Sequence, residues 1–210
     1  MIKIFTVLCS ILIAVPSYAG CVMMMSGSGS SAAPPAAPPA ACTTQISSPT
    51  DMETYASYFS NFATSSSADD WASSMFVAGE DATICSVCFY VATSTGTSPT
   101  YNVTAYLYSN NTTPTPDQPN ASSGAFETKN MTGVLTSAYQ WICWTGGSIG
   151  ITNTTIYHVV LAASGTDATN IMRWGKDATC ASENVHRSGD GSTWTSTDTG
   201  RCGMLKLYKE

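Results

Sequence analysis

Flat aromatic rings are the most abundant recognition chemistry in this chain, with Trp71, Trp141, Trp144, Trp174 and Trp194 standing among ten Tyr. Such rings stack on sugar rings while hydroxyls and amides bond the sugars' edges, and hydroxyls are plentiful: 57 Ser and Thr in 210 residues. Most of the large aromatics are needed to fill a core. Tyr90, Tyr106 and Tyr108 are the expected exceptions, because period-2 alternation sets them opposite Val87, Phe89, Val103 and Leu107. With the aliphatic set facing inward, the three Tyr face outward as one ligand-stacking surface; the competing reading has them cover a second sheet or meet a neighbour.

Catalytic chemistry has few carriers. His158 and His186 are the only histidines, and neither sits in a metal or nucleophile motif. His186 near Asp190 resembles half of an acid/base pair that lacks its nucleophile. Cys85-Ser-Val-Cys88 invites a redox or zinc reading but lies inside the strand-like run 83–91. Residues three apart in a strand lie about 10 Å apart on opposite faces, beyond the roughly 7 Å that a disulfide spans, so each Cys needs a distant partner. A second closely spaced Cys or His pair to complete a zinc site is absent from the sequence. Asp190, flanked by Gly189 and Gly191, reads first as a turn residue, with calcium through Asp198 as the alternative. These residues point to a non-catalytic protein with no metal and no cofactor.

Charge narrows the partners. Charged residues make up 10% of the chain, and 14 acidic against 8 basic side chains give a net charge of −6. No basic face is available to neutralise phosphates, so nucleic acid is excluded as a partner.

The elements that must hold these residues begin with a leader. Residues 1–20 carry Lys3, an apolar run from Ile4 to Val15 and a small-residue finish, the plan of a signal peptide. The run of about 12 residues is shorter than the roughly 20 a spanning helix needs. Ser17 and Ala19 fit ordinary cleavage before Gly20, whereas Tyr18-Ala19-Gly20-Cys21 resembles a bacterial lipobox that would place a lipid on Cys21. Residues 21–44 then form a spacer whose Gly/Ser/Ala/Pro stretch at 26–41 cannot bury a core and reaches up to about 50 Å when extended. Once the leader with Cys9 is removed, seven Cys remain. A lipidated Cys21 leaves an even six for up to three disulfides in an oxidising compartment, which favours lipidation, although a free or intermolecularly bonded Cys21 satisfies the same count. Membrane contact is then expected only through that anchor.

Residues 45–210 read as one all-β domain. Strands are expected at 71–77, 83–93, 101–109, 139–145, 156–163, 170–174, 184–187 and 205–208, with turns between them. The Pro-bearing segment 110–123 is expected to stay out of the sheets, and only 51–62 suits a short helix. About eight strands make an antiparallel β-sandwich, jelly-roll-like in plan. A disulfide between Cys180 and Cys202 is predicted because each stands just before one member of an expected final strand pair, 184–187 with 205–208; Cys42, Cys85, Cys88 and Cys143 share the other two bonds in an undetermined order.

The order of elements is familiar. Asp69-Asp70-Trp71-Ala72-Ser73-Ser74-Met75-Phe76, then Ile84-Cys85-Ser86-Val87-Cys88-Phe89-Tyr90, the strand at 101–108 before a Pro-bearing loop, Ile156-Tyr157-His158-Val159-Val160-Leu161, and Ser188-Gly189-Asp190-Gly191-Ser192-Thr193-Trp194 before a closing hydrophobic strand resemble the choice-of-anchor β-sandwich modules of bacterial and phage surface proteins. The resemblance runs from residue 69 to 210 and implies a carbohydrate-binding-like sandwich; it transfers no ligand residue. The chain departs from that pattern in its cysteines and in ending at Lys209-Glu210 without a sorting signal, which assigns any anchoring to the N-terminus. The expected function is adhesion by an exported, cell-surface or secreted module whose partner is a glycan or a surface protein. The alternative is a structural subunit of an envelope or appendage.

Overall fold

The computed structural model describes residues 42–46, 55–62, 70–113, 117–164, 171–177, 180, 184–199 and 201–210. The expected leader, Cys21 and the spacer up to residue 41 lie outside the described residues.

Two antiparallel sheets form a β-sandwich. The first has eight strands: β1 (Thr44–Gln45), β2 (Tyr55–Phe62), β4 (Ala82–Thr93), β7 (Gln140–Trp144), β8 (Ile149–Ile151), β10 (Met172–Asp177), β13 (Cys202–Gly203) and β14 (Leu205–Lys209). The second has six, β3 (Asp70–Val77), β5 (Asn102–Asn111), β6 (Gln118–Asn130), β9 (Ile156–Ser164), β11 (Asn184–Ser188) and β12 (Thr195–Thr199), in the order β12-β11-β3-β9-β5-β6. Central to the first sheet is β4, whose 12 residues are paired along both edges. One edge takes β14 (Leu205 opposite Phe89) and β10 (Trp174 opposite Val91); the other takes β7 (Trp144 opposite Val87) and β8 (Ile149 opposite Ile84).

The core follows from alternation. Val87, Phe89 and Val91 of β4 pack with Val103, Ala105 and Leu107 of β5, with Val159 and Leu161 of β9, and with Ala72 and Phe76 of β3. Phe89 lies edge-on to Trp144 at 5.2 Å and to Trp174 at 4.8 Å between ring centres. Their indole N–H groups do not go unpaired: Trp144 Nε1 donates to the Val103 carbonyl in the opposite sheet at 3.0 Å, and Trp174 Nε1 donates to the Met204 carbonyl at 2.9 Å. Ser74, also fully buried, accepts from the Gly203 N–H at 2.8 Å, a second tie between the sheets.

All eight expected strands form, and the sandwich is larger than the expected eight by six further strand segments among the described residues. Residues 55–62 are not helical. They pair with β10, from Phe62 opposite Met172 to Tyr55 opposite Asp177, because Tyr, Phe and Ser suit a pleated surface better than a helix and β10 offers an unpaired backbone edge. Nor does the segment at 110–123 stay outside: Gln118–Asn130 is an edge strand of the second sheet, with Pro119 opposite Asn110. An edge strand tolerates Pro, since the missing N–H is needed only where a further strand would pair.

Three disulfides join Cys42 to Cys85, Cys88 to Cys143 and Cys180 to Cys202. Cys85 and Cys88 therefore have different, distant partners, as strand spacing requires. Cys88 and Cys143 are directly opposite across β4 and β7, while Cys85 is an extra residue in β4 between Ser86, opposite Tyr208, and Ile84, opposite Lys209. The Cys180–Cys202 bond exists without the strand pair from which it was expected. β11 pairs with β3 and β12 in the second sheet, and β14 pairs with β4 and β1 in the first. Closing a separation of 22 residues, the bond restricts the unfolded chain by roughly 3 kcal/mol.

Candidate functional site

The three Tyr expected to form one surface fall on opposite sides of the sandwich. Tyr90 belongs to β4 in the first sheet, Tyr106 and Tyr108 to β5 in the second. Alternation places each on an outer face, but two outer faces cannot share a ligand.

On the first sheet, Trp141 of β7 is directly opposite Tyr90, and Tyr139 just precedes that strand on the same side. Tyr90 stacks on Tyr139 at 5.3 Å with planes 26° apart, and meets Trp141 at 5.2 Å and 44°. All three are half-buried, leaving ring surface open to solvent. Lys206 of β14, opposite Cys88, reaches across the row to set its ammonium 4.5 Å from the centre of the Trp141 ring. The Cys88–Cys143 bond lies beside the aromatic row and fixes β4 to β7 where the rings sit. The result is a rigid, three-ring surface with a cation at its margin. Tyr139 and Trp141 escaped the sequence reading because Gln140, Ile142 and Trp144 left the inward set of β7 ambiguous.

The outer face of the second sheet is covered in part: Tyr108 and Trp194 are buried, while Trp71 and Tyr106 are half-buried. Trp71 stacks on Tyr106 at 5.5 Å, Tyr106 meets Tyr108 at 6.1 Å, and Tyr108 meets Trp194 at 6.2 Å, a chain of rings around buried Val160. Tyr108 is only 8% exposed. The cover is the loop between β11 and β12. Asp190 shapes it: its Oδ1 accepts from Thr193 N at 2.7 Å, Ser192 N at 2.8 Å and Ser188 Oγ at 2.9 Å, and its Oδ2 from Thr193 Oγ1 at 3.2 Å. Those donors, the Thr193 N–H foremost, hold the exposed carboxyl well below the usual carboxylate range. Asp190 thus acts as a turn former, and no group of three or more His, Cys, Asp or Glu suited to a metal ion occurs among the described residues. Gly191 brings its backbone against the Trp71 indole, where a Cβ would lie 2.9 Å from Cε2, and its φ of 72° is in the left-handed region. Gly191→Ala is expected to cost about 2 kcal/mol through backbone strain and collision with Trp71. A urea midpoint equal to that of the parent protein would show that the loop is not seated there.

Beneath this cover lies the pair that sequence reasoning left apart. His158 on β9 and His186 on β11 flank β3, with ring centres 5.5 Å apart and both side chains fully buried. His158 Nε2 lies 2.9 Å from Asn110 Oδ1, and His186 Nδ1 lies 3.5 Å from Ser73 Oγ. Burial pushes the His158 imidazolium down to about 3, with His186 adding to the effect. Burial likewise pushes His186 down to about 4, opposed by the Asp117 carboxylate. Both rings are therefore neutral at ordinary pH. Ser73 is as fully buried as His186. Alternation in the sequence does put both His opposite buried aliphatics, but only the strand order β11-β3-β9 makes them neighbours. A cleft of about 510 Å³, lined by hydroxyls of Ser109, Thr112, Thr154 and Thr155, opens beside Asn110.

No known family model and no curated protein matches the chain.

Proposed function

We propose that this chain is an exported, surface-tethered, non-catalytic β-sandwich that binds glycans through Tyr90, Tyr139 and Trp141. The observation that carries the reading is the contiguous, half-open aromatic row of the first sheet, with Lys206 at its edge to donate to sugar hydroxyls or an acidic group. Ring faces supply dispersion and CH–π contact, and the cross-strand disulfide preorganises them, which lowers the entropy lost on binding. Three disulfides are compatible with an exported protein. The tether in this reading is the lipid on Cys21, and the order of sequence segments that resembles choice-of-anchor modules agrees with a surface role.

A glycan array followed by affinity electrophoresis tests it. Trp141→Ala with Tyr139→Ala is expected to weaken retention at least tenfold and to leave the melting transition within a few degrees, because half-exposed positions contribute little stability. Tyr106→Ala should leave the glycan affinity of the folded protein unchanged. Retention that survives the double replacement, or concentration-dependent assembly with no retention at all, would sink the proposal; the second result would point to the structural-subunit alternative.

A further inference from the structure

We infer that His158, His186 and Met75 form a site for one soft monovalent metal ion, Cu(I) in kind, on the outer face of the second sheet. Unused donors are the first ground. Asn110 Oδ1 can only accept, so the proton of His158 is on Nε2 and its Nδ1 keeps a bare lone pair. His158 Nδ1 and His186 Nε2 are both buried without a hydrogen-bond partner. Two uncompensated nitrogens in one buried layer are a standing cost that an ion would remove.

Met75 is the second ground. It is the direct partner of His158 across β3 and β9, on the same face, and is 3% exposed. Such partners carry Cβ atoms roughly 5 Å apart, within reach of a flexible thioether. Two imidazoles bound to one ion at roughly 2 Å per bond hold their nitrogens at most about 4 Å apart, which rings 5.5 Å apart accommodate with a small turn of either side chain.

Charge and softness select the ion. All three side chains are neutral as ligands, and a buried divalent cation among them would retain most of its charge, whereas Cu(I) carries one and favours thioether with imidazole. Asn110 is a positioning residue that fixes the His158 tautomer. The inference does not depend on glycan binding at the other sheet.

The test uses the leader-free chain with Cys21→Ser, in which the remaining six Cys are all in disulfides and no thiol competes for a soft ion, and Ag(I) as a redox-inert probe, followed through the imidazole ¹⁵N resonances. Only two histidines exist, so every such resonance reports on the site. At one equivalent of Ag(I), the His158 Nδ1 and His186 Nε2 signals should both shift, Cu(I) held reduced by ascorbate should displace the silver, and Zn(II) should shift neither. Met75→Leu, which keeps the apolar volume, should weaken Ag(I) binding at least tenfold with the fold intact. Unmoved imidazole signals, an equal response to Zn(II), or full affinity in Met75→Leu would each overturn the site, and the first of these needs no variant that might fail to fold.

Discussion

Acidification from pH 6.5 to pH 4 is expected to withdraw on the order of 5 kcal/mol from the metal-free fold through His158 and His186 alone. In the unfolded chain each takes up its proton near pH 6.5. In the fold, burial pushes His158 down to about 3 and His186 down to about 4. Above pH 6.5 neither state binds these protons and the fold suffers no loss. As pH falls below that value the unfolded chain gains protons that the fold refuses, and stability drops by up to about 1.4 kcal/mol per pH unit for each histidine. The loss is complete below about pH 3, where both rings are charged in either state. Urea midpoints at pH 7, 5.5 and 4.5 measure it, with His158→Asn/His186→Asn as the control whose profile should be flatter over the same window. A parent midpoint that stays constant from pH 7 to 4.5 would mean that the two rings are not buried as neutral groups.

Phe89→Ala is expected to cost about 4 kcal/mol, as removal of a fully buried ring from a close-packed core usually does. The ring touches Trp144 and Trp174 edge-on, and both indoles are pinned by N–H bonds to carbonyls, so the neighbours cannot collapse freely into the space. Phe89→Leu should cost much less, because it retains most of the volume. Chemical denaturation followed by Trp fluorescence measures both, and a loss under about 1 kcal/mol for the Ala variant would contradict a close-packed core around Phe89.

The bonded partners of the cysteines show where local reasoning ends. That Cys85 and Cys88 could not join each other followed from strand geometry, which is local. That they join Cys42 and Cys143 depends on β1 lying beside β14 and on β7 lying beside β4, relations between segments 43 and 55 residues apart. Cys180–Cys202 was legible for a reason the fold does not supply, since β11 and β14 are in different sheets.

Alternation along each strand determined which side chains point the same way: Val87 with Phe89, Val103 with Leu107, Tyr106 with Tyr108. It fixed the all-β class, the eight principal strands and the outward direction of Tyr90, because a side-chain period of two is a property of one strand's backbone. Sheet membership is a property of pairs of strands, set by non-local hydrogen bonds that no single segment encodes. Only the tertiary structure therefore separated Tyr90 from Tyr106 and Tyr108, gave Tyr90 its companions Tyr139 and Trp141, folded the loop around Asp190 over Tyr108, and brought His158 and His186 together across β3.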